Sequence, residues 1–384
     1  MTMMTDTAPG APRGNHFAMH LVVALVLLAI GGGYVLYELF TFGKVQFNTT
    51  NAGIFWGFAI VVYDYFLLTS TGLVMVASLY YVFGLEEFRS VARRCLWLAF
   101  AAIIGGVAVL FLELGNPFVA IWATPLNLQT ASPLFWKVLL VAAYSALLAL
   151  VLLGKINTRE DKGSVLMIPM TALAFIVTLV AGSVYGMMAM RPMWFGGDVP
   201  VVFLIESFMG ALAFTVFFSH LKNGFNHGNM RPETRLLFEG TLARMFAISI
   251  GLHFILHAGR AVTGLWSNAE GMQVWQYLVA NPLFHFAMWG CIALPFVLMV
   301  LKSTRSNGMI QILAAFLVMV GLLISRYEFI IGGQQVPLFK GTWAPELLHY
   351  SPSVGEWALL VLAVGLANSV YAFAAWQLGA EDRA

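Results

Sequence analysis

One continuous apolar run reads IFWGFAIVVYDYFLLTSTGLVMVASLYYVF and covers residues 54–83. Asp64 is the single Asp, Glu, Lys or Arg side chain within it. As a helix that rises ~1.5 Å per residue, a run of this length crosses the hydrocarbon core of a bilayer. A charged side chain inside that core costs at least ~2.5 kcal/mol on insertion scales, so it needs a partner or a function. The run therefore predicts a transmembrane helix that carries a polar site.

The composition extends this interpretation to the whole chain. The 384 residues are 60% hydrophobic and only 10% charged, which is far too apolar for a water-soluble domain. The sequence lacks the short alternating segments that mark a membrane β-barrel. We predict an all-α polytopic membrane protein with ten transmembrane helices, at residues 16–40, 54–83, 95–114, 133–153, 165–190, 200–220, 242–266, 274–301, 309–331 and 355–378.

A repeated motif predicts how these helices are grouped. Residues 131–135 read ASPLF at the start of the fourth helix, and residues 280–284 read ANPLF at the start of the eighth. The same offset places the second to fifth helices on the sixth to ninth, which indicates two four-helix bundles with the first and last helices flanking them. The predicted parts are a disordered cytoplasmic N-terminus (1–15), the first helix (16–40), the first bundle (53–190), the second bundle (199–333), an outer loop (334–353) and the tenth helix (354–378).

The positive charges predict the orientation in the membrane. Most of the 20 lysines and arginines lie on the side that carries both termini, and positively charged connections stay in the cytoplasm. We therefore expect a multi-pass protein of a bacterial inner membrane with both termini cytoplasmic. The cations on the outer side are Lys44, Lys137, Arg191, Arg260, Arg326 and Lys340. We expect the arginines among them either to anchor helix ends or to pair with acids on the same side, which are Glu113, Glu206 and Glu328.

Acidic and aromatic side chains converge on the predicted outer face. Asp64 lies inside the second helix, Glu113 closes the third, and Arg191 and Trp194 end the fifth. An apolar slot with a polar donor and a carboxyl suits a quinone ring, which exchanges protons as well as electrons. Asp64 is the expected proton acceptor, because removal from water favours the neutral form of a carboxyl, and Glu113 is the expected proton exit. A buried ion pair, or a neutral structural carboxyl, would explain the same acids.

Four short motifs mark the ends of the predicted helices: Phe55-Trp56-Gly57, Glu113–Pro117, Ser132–Trp136 and Arg191–Trp194. Together they resemble the signature blocks of the NrfD/PsrC family, the membrane subunits of polysulfide reductase-like complexes. The tail from Arg326 to Glu356 is similar to the longer ten-helix members of the HybB and DsrP types. The resemblance covers nearly the whole chain after the first helix.

The resemblance implies a quinone-reactive subunit of a respiratory oxidoreductase complex, with menaquinone or ubiquinone bound in the first bundle and without haem or iron–sulfur cluster in this chain. Whether the chain alone counts as an enzyme stays open. By motif, the implied catalytic acids are Asp64 and Glu113. The implied quinone-binding residues are Tyr63, Asp64, Glu113, Tyr185 and Arg191. Many members carry a His or Tyr nearer the middle of the helix that contains Tyr185, so here either Tyr185 substitutes for it, or the pocket has shifted, or the quinone chemistry is altered.

The resemblance also implies partner proteins. Electrons would pass to or from a ferredoxin-like iron–sulfur subunit on the outer, extracytoplasmic face, joined in turn to a molybdopterin, hydrogenase or multihaem cytochrome subunit. The outer segment Gly332–Ser353 carries Gln334, Gln335, Lys340, Trp343, Glu346 and His349, and we expect it either to dock that subunit or to cover the bundle as a lid. Membrane lipids surround the helices, and a net charge of +2 argues against a nucleic-acid partner.

Two other functions remain open. A cytochrome b-like anchor would bind haem b through histidines of facing helices, for which His253, His257 and His285 are candidates. A transporter built from repeats would need helices broken at matching mid-span positions of both halves, and the sequence shows no such matched pair. Cys95 and Cys291 are too isolated to hold an iron–sulfur cluster alone, and no metal site is expected.

Overall fold

The computed structural model describes residues 15–43, 47–49, 53–157, 165–338 and 346–377. Ten helices in these ranges are long and apolar enough to cross a membrane, as predicted, and the same ranges contain no strand. The chain is therefore an all-α polytopic membrane protein. The helices are α1 Asn15–Thr41, α2 Phe58–Tyr81, α3 Arg89–Glu113, α4 Pro133–Asn157, α5 Met167–Gly186, α6 Val199–Lys222, α7 Thr241–Trp266, α8 Pro282–Val300, α9 Gly308–Gln335 and α10 Val354–Gln377.

Two helix boundaries near the predicted site differ from the sequence prediction. α2 begins at Phe58 instead of Ile54, so Phe55-Trp56-Gly57 forms a non-helical entry segment before it. α5 ends at Gly186, so Arg191 lies in the turn that follows and does not close the helix. Backbone groups outside a helix need other hydrogen-bond partners. The entry segment finds them in the distant Gln334, whereas the turn after α5 bonds mostly within itself, as the Arg191 N–H does to the Met188 carbonyl at 2.9 Å.

Two further helices are longer than predicted. α3 begins at Arg89 instead of Cys95, and α9 continues past Ile331 to Gln335. Gln334 is thus the penultimate residue of a helix and not part of an outer loop. Short helices fill several connections between the long ones: Pro117–Leu126, Pro232–Glu239, Val274–Ala280 and Lys302–Arg305.

The predicted eighth span is divided in two at Asn281. The helix Val274–Ala280 ends there, and α8 restarts with Pro282 at its first position. The Asn281 side chain accepts a hydrogen bond of 2.9 Å from the backbone N–H of Leu283, as an N-cap does, and proline suits the first turn because its missing N–H would have no partner there. Residues Phe286–Ala293 of α8 are π-helical.

The core is centred on α2, which packs against α3, α5 and α6. The contact with α6 depends on Gly72, because a Cβ at this position would lie 1.9 Å from the backbone oxygen of Ser207. Small residues allow such close approach between membrane helices. α1 packs along α10, and α10 in turn packs against α3.

On the C-terminal side of Asp64, hydroxyl groups of α2 contact hydroxyl groups of α4, α5 and α6. Ser70 contacts the Tyr144 hydroxyl of α4 at 2.8 Å. Thr71 accepts a hydrogen bond of 2.8 Å from Thr178 of α5 and contacts Ser207 of α6 at 3.1 Å. Interhelical hydrogen bonds of this kind hold membrane bundles together. Because α6 also packs along α9, one core runs through α2–α9, and the division into two bundles stays a prediction.

Candidate functional site

The entry segment of α2 is held by the end of α9. The side-chain oxygen of Gln334 accepts hydrogen bonds of 2.9 Å from the backbone N–H groups of Phe55 and Trp56, and its amide donates to the Trp56 carbonyl at 2.9 Å. Gln334 is only 1% exposed. This residue therefore fixes where α2 begins, and with it the depth of Asp64. Asp64 lies about 9 Å along the axis from the start of α2.

A second anchor comes from α10. Glu356, 1% exposed, accepts hydrogen bonds from the N–H groups of Phe58 at 3.2 Å and Ser353 at 2.9 Å. The Tyr350 hydroxyl also donates to Glu356. Burial and the neighbouring carboxylate raise the pKa of Tyr350, so its hydroxyl keeps its proton and remains a donor. A carboxylate at the first turn of α2 also suits the helix dipole.

Asp64 is the centre of a buried charge cluster. The Lys137 ammonium of α4 donates to Asp64 Oδ1 at 2.6 Å, and the Tyr185 hydroxyl of α5 donates to Oδ2. All three residues are at most 5% exposed. The Lys137 Nζ atom also lies 5.0 Å from the centroid of the Tyr63 ring. The structure thus brings together Tyr63, Asp64 and Tyr185 as the sequence predicted, around a lysine that the prediction did not include.

Aromatic rings border this cluster toward the helix ends. Trp56 and Trp194 are stacked, with ring centroids 5.4 Å apart, and the Tyr185 ring meets both edge-on. The Trp194 N–H donates to the carbonyl of Phe329 at 2.7 Å. A Cβ at Gly333 would lie 1.9 Å from Trp194 Nε1, so α9 must carry a glycine where this tryptophan packs. The two signature tryptophans therefore form one wall of the candidate site.

Arg191 reinforces the same region through backbone contacts. It is 4% exposed and donates to the carbonyls of Gln334 at 3.1 Å, Val336 at 2.8 Å and Gly53 at 3.4 Å. These bonds tie the turn after α5 to the end of α9 and the entry of α2. A guanidinium that serves three carbonyls is a structural cross-link, and its predicted pairing with Glu113 stays a prediction.

Glu113 lies at the predicted outer end of α3. It is half-buried, whereas Asp64 is fully buried and bonded to Lys137 and Tyr185. α3 meets α2 at Gly106, where a Cβ would lie 3.3 Å from the Tyr63 carbonyl. Glu113 is about 10 Å further along α3 toward the helix end. This position is the one expected of a carboxyl that lies between the buried Asp64 cluster and the protein surface.

A second buried ion pair joins α9 to α6. Arg326 of α9 donates to Glu206 of α6, which is one of the pairings expected from the sequence. His253 Nδ1 lies 3.5 Å from the other Glu206 oxygen. The Arg326 guanidinium also sits 3.9 Å above the ring of Phe203. Arg260, by contrast, pairs with Asp198, an acid that the sequence interpretation did not consider.

The two charge clusters are neighbours separated by aromatic rings. Phe203 and Phe329 contact Tyr185 with centroid distances of 5.6 and 5.4 Å, and Arg326 lies against both phenylalanines. An ion pair on each side of a thin apolar wall is unusual within a membrane span, where charges are costly. The predicted outer half of the protein thus holds two separate polar sites.

The candidate haem ligands occupy different surroundings. His257 stacks on the ring of Phe284 at 5.7 Å and on His253 at 5.6 Å, whereas His285 is exposed. Among the residues that the structure describes, no group of three or more His, Cys, Asp or Glu residues could hold a metal ion.

Comparison with known proteins identifies the family. Residues 46–337 match the family described as polysulphide reductase, NrfD. The match covers well over half of the chain, so the protein belongs to the NrfD family.

Two relatives are similar over nearly their whole length. The chain is 25% identical to a selenate reductase subunit of Mesobacillus selenatarsenatis, over 89% of each chain. It is 24% identical to the Hdr-like menaquinol oxidoreductase integral membrane subunit of Archaeoglobus fulgidus, over 93% of this chain and 91% of that one.

Proposed function

We propose that this NrfD-family protein is the quinone- or quinol-reactive membrane subunit of a respiratory oxidoreductase complex in a bacterial inner membrane. It exchanges electrons between the quinone pool and an extracytoplasmic iron–sulfur subunit. The observation that carries the proposal is the buried cluster of Asp64, Lys137 and Tyr185 close to the predicted outer helix ends. A relative named as a menaquinol oxidoreductase subunit supports a quinol as the substrate.

The cluster can take a proton from a ring hydroxyl. Oxidation of a quinol to a quinone releases two electrons and two protons. A ring hydroxyl beside Tyr185 donates to the phenol oxygen, whose own proton is already bonded to Asp64. Movement of the quinol proton to Tyr185 and of the Tyr185 proton to Asp64 leaves Tyr185 neutral and Asp64 protonated. Once Asp64 has passed this proton to Glu113, the second quinol proton follows the same route. The two electrons pass to the iron–sulfur subunit.

Lys137 lowers the free-energy cost of keeping an ionised Asp64 buried until the proton arrives. Before the proton arrives, the ammonium 2.6 Å away compensates the buried carboxylate. After it arrives, Lys137 remains over the Tyr63 and Tyr185 rings, at 5.0 and 5.7 Å from their centroids, where the ring faces attract a cation. Lys137 therefore compensates the charge of Asp64 before the proton arrives, and the two ring faces partly stabilise the ammonium afterwards.

Glu113 is the proposed exit for the proton. It is half-buried at the end of α3, between the enclosed cluster and the surface. A carboxyl that is partly in contact with water exchanges its proton with the outside, which Asp64 at 0% exposure does not. In this proposal Arg191 keeps the turn and the entry segment in place around the quinone.

The test is quinone-coupled turnover in membranes, with assembly of the complex checked by immunoblot. Asp64→Asn removes the acceptor and is expected to lower turnover by about 100-fold or more, in the range typical of lost proton transfer, while the complex still assembles. Glu113→Gln is expected to lower turnover with quinone binding largely intact. Wild-type rates in both assembled variants would mean that these acids are structural and that the reaction takes place elsewhere.

A further inference from the structure

A small cavity lies between α6, α7, α9 and the segment that leads into α8. Phe203, Phe284 and Phe329 form part of its apolar wall. The centres of water molecules can occupy about 30 Å³ of it. A bound water needs about 10–15 Å³ of such space and roughly two to four polar partners. The cavity therefore has room for about two water molecules, which is too little for an organic ligand.

Glu328 lines this cavity and lacks a hydrogen-bond partner. The residue is 4% exposed, and neither carboxyl oxygen has a partner among the residues that the structure describes. A buried polar group without a partner is costly, and ordered water commonly satisfies such groups. The lining also contains Ser325, Glu206 and Arg326. A water molecule beside Glu328 therefore finds further polar partners in the same cavity.

The charges around the cavity leave Glu328 without a counter-ion in the lining. Two arginines line the cavity. Arg326 pairs with Glu206, and Arg260 pairs with Asp198. An ionised Glu328 would therefore add a buried negative charge, while both arginines already compensate other acids. One proton on the Glu328 carboxyl removes this charge.

Two neighbouring histidines of α7 offer another place for that proton. His257 is the remaining titratable residue among the described residues of the lining. It stacks on His253, whose Nδ1 lies 3.5 Å from a Glu206 oxygen. A proton on either ring would also balance the second carboxyl. The two positions can be distinguished, because a proton on Glu328 makes a carboxylic acid, whereas a proton on a histidine leaves two carboxylates.

We propose that two water molecules occupy this cavity and bridge a protonated Glu328 to the Arg326–Glu206 pair. The carboxylic O–H donates to one water, and the carbonyl oxygen accepts a hydrogen bond from the other. Phe203 and Phe329 lie between this site and Tyr185, so the hydrated site is separate from the Asp64 cluster. It does not depend on the quinone chemistry proposed above.

Hydroxyl-radical labelling detects the water directly. X-ray pulses split water into hydroxyl radicals, which oxidise side chains beside a water molecule even when those side chains are buried. The complete complex in lipid nanodiscs is irradiated, and oxidised residues are identified by mass spectrometry. We expect oxidation of Phe203, 1% exposed in the cavity wall, and far less of Phe246, 0% exposed on α7 outside the lining. Equally slow oxidation of the two rings would overturn the water site.

Two variants of Glu328 test what holds the water. Glu328→Met keeps the side-chain length but removes the acceptor, so oxidation of Phe203 should fall to the level of Phe246. Glu328→Gln keeps a polar side chain and should retain the oxidation of Phe203. Size-exclusion chromatography first checks that each variant complex assembles. Oxidation of Phe203 at the wild-type rate in assembled Glu328→Met would overturn the role of Glu328.

Infrared spectra of the same complexes test the proton. The C=O stretch of a carboxylic acid is separate from the carboxylate bands and shifts in D₂O. We expect Glu328→Gln to lose one such band relative to the wild type. Glu233→Gln is the matched control and should lose none, because it replaces an exposed glutamate of the short helix Pro232–Glu239. An unchanged acid band in Glu328→Gln would place the proton on a histidine and overturn its assignment to Glu328.

Discussion

At the scale of single residues, Lys137 explains how Asp64 is tolerated inside a membrane helix. The pair is 2.6 Å apart, and both side chains are buried. Loss of one partner from a buried ion pair costs about 3–5 kcal/mol, because the other charge stays behind unpaired, whereas loss of both is far less harmful.

This pairing gives a prediction for stability. Lys137→Met should lower the thermal stability of the protein in detergent, since it leaves Asp64 uncompensated. The double variant Lys137→Met/Asp64→Asn should recover most of the loss. A double variant less stable than Lys137→Met, measured by the same thermal-shift assay, would mean that the two residues do not act as a pair.

Some of these residues could be predicted from the sequence and others could not, and the reasons are physical. Asp64 stands out because an acid interrupts a long apolar run. Lys137 lies near the start of α4, where a lysine is usually an interfacial anchor, and nothing in the sequence shows that its side chain turns inward to a residue on α2. Glu328 was a candidate partner of an arginine, but only the packed structure shows that Arg326 pairs with Glu206 and that Glu328 has no hydrogen-bond partner among the described residues.

At the scale of elements, glycines set the distance between helices. Gly72 permits the contact of α2 with α6, where any Cβ would collide with the Ser207 carbonyl at 1.9 Å. Backbone atoms cannot move aside as a flexible side chain can. The two helices must therefore separate if this position carries a larger residue.

We expect Gly72→Ala to destabilise the protein by about 1–3 kcal/mol, the usual cost of overpacking a core. Gly154→Ala on α4 is the control, because a Cβ there meets nothing within 4 Å. Thermal unfolding followed by fluorescence-detected size-exclusion chromatography compares them. Equal stability of the two variants would contradict the tight contact between α2 and α6.

Helix boundaries could be predicted only where a local signal exists. The break at Asn281-Pro282 carries such a signal, an N-cap residue followed by proline, although hydropathy alone joined the two helices. The start of α2 depends on Gln334 and Glu356, which lie far away in the sequence. No local pattern around Phe55-Trp56-Gly57 shows that these side chains replace a helical turn.

At the scale of the whole molecule, the orientation in the membrane determines which side of the membrane the site lies toward. The entry of α2, the end of α9 and both charge clusters lie toward the same end of the helices, which the distribution of lysine and arginine predicts to be the outer one. An iron–sulfur subunit on that face would approach the Asp64 cluster across the Trp56–Trp194 pair.

Reporter fusions test this orientation. Fusions after Met230, and after Lys162 in a connection outside the described residues, should both give cytoplasmic signals. Fusions within the connection between α3 and α4, after Gln129, should give extracytoplasmic ones. The reverse pattern would place the site on the cytoplasmic side and exclude an extracytoplasmic electron partner.

The central claim is that this chain connects a quinol to the iron–sulfur subunit, and electron paramagnetic resonance measures that connection. A short-chain menaquinol is added to the oxidised complex, and the signal of the reduced cluster is followed in time. We expect rapid reduction with the wild-type chain, strongly slowed reduction with Asp64→Asn, and none when the chain is omitted from the complex. Reduction at the wild-type rate without this chain would contradict the claim.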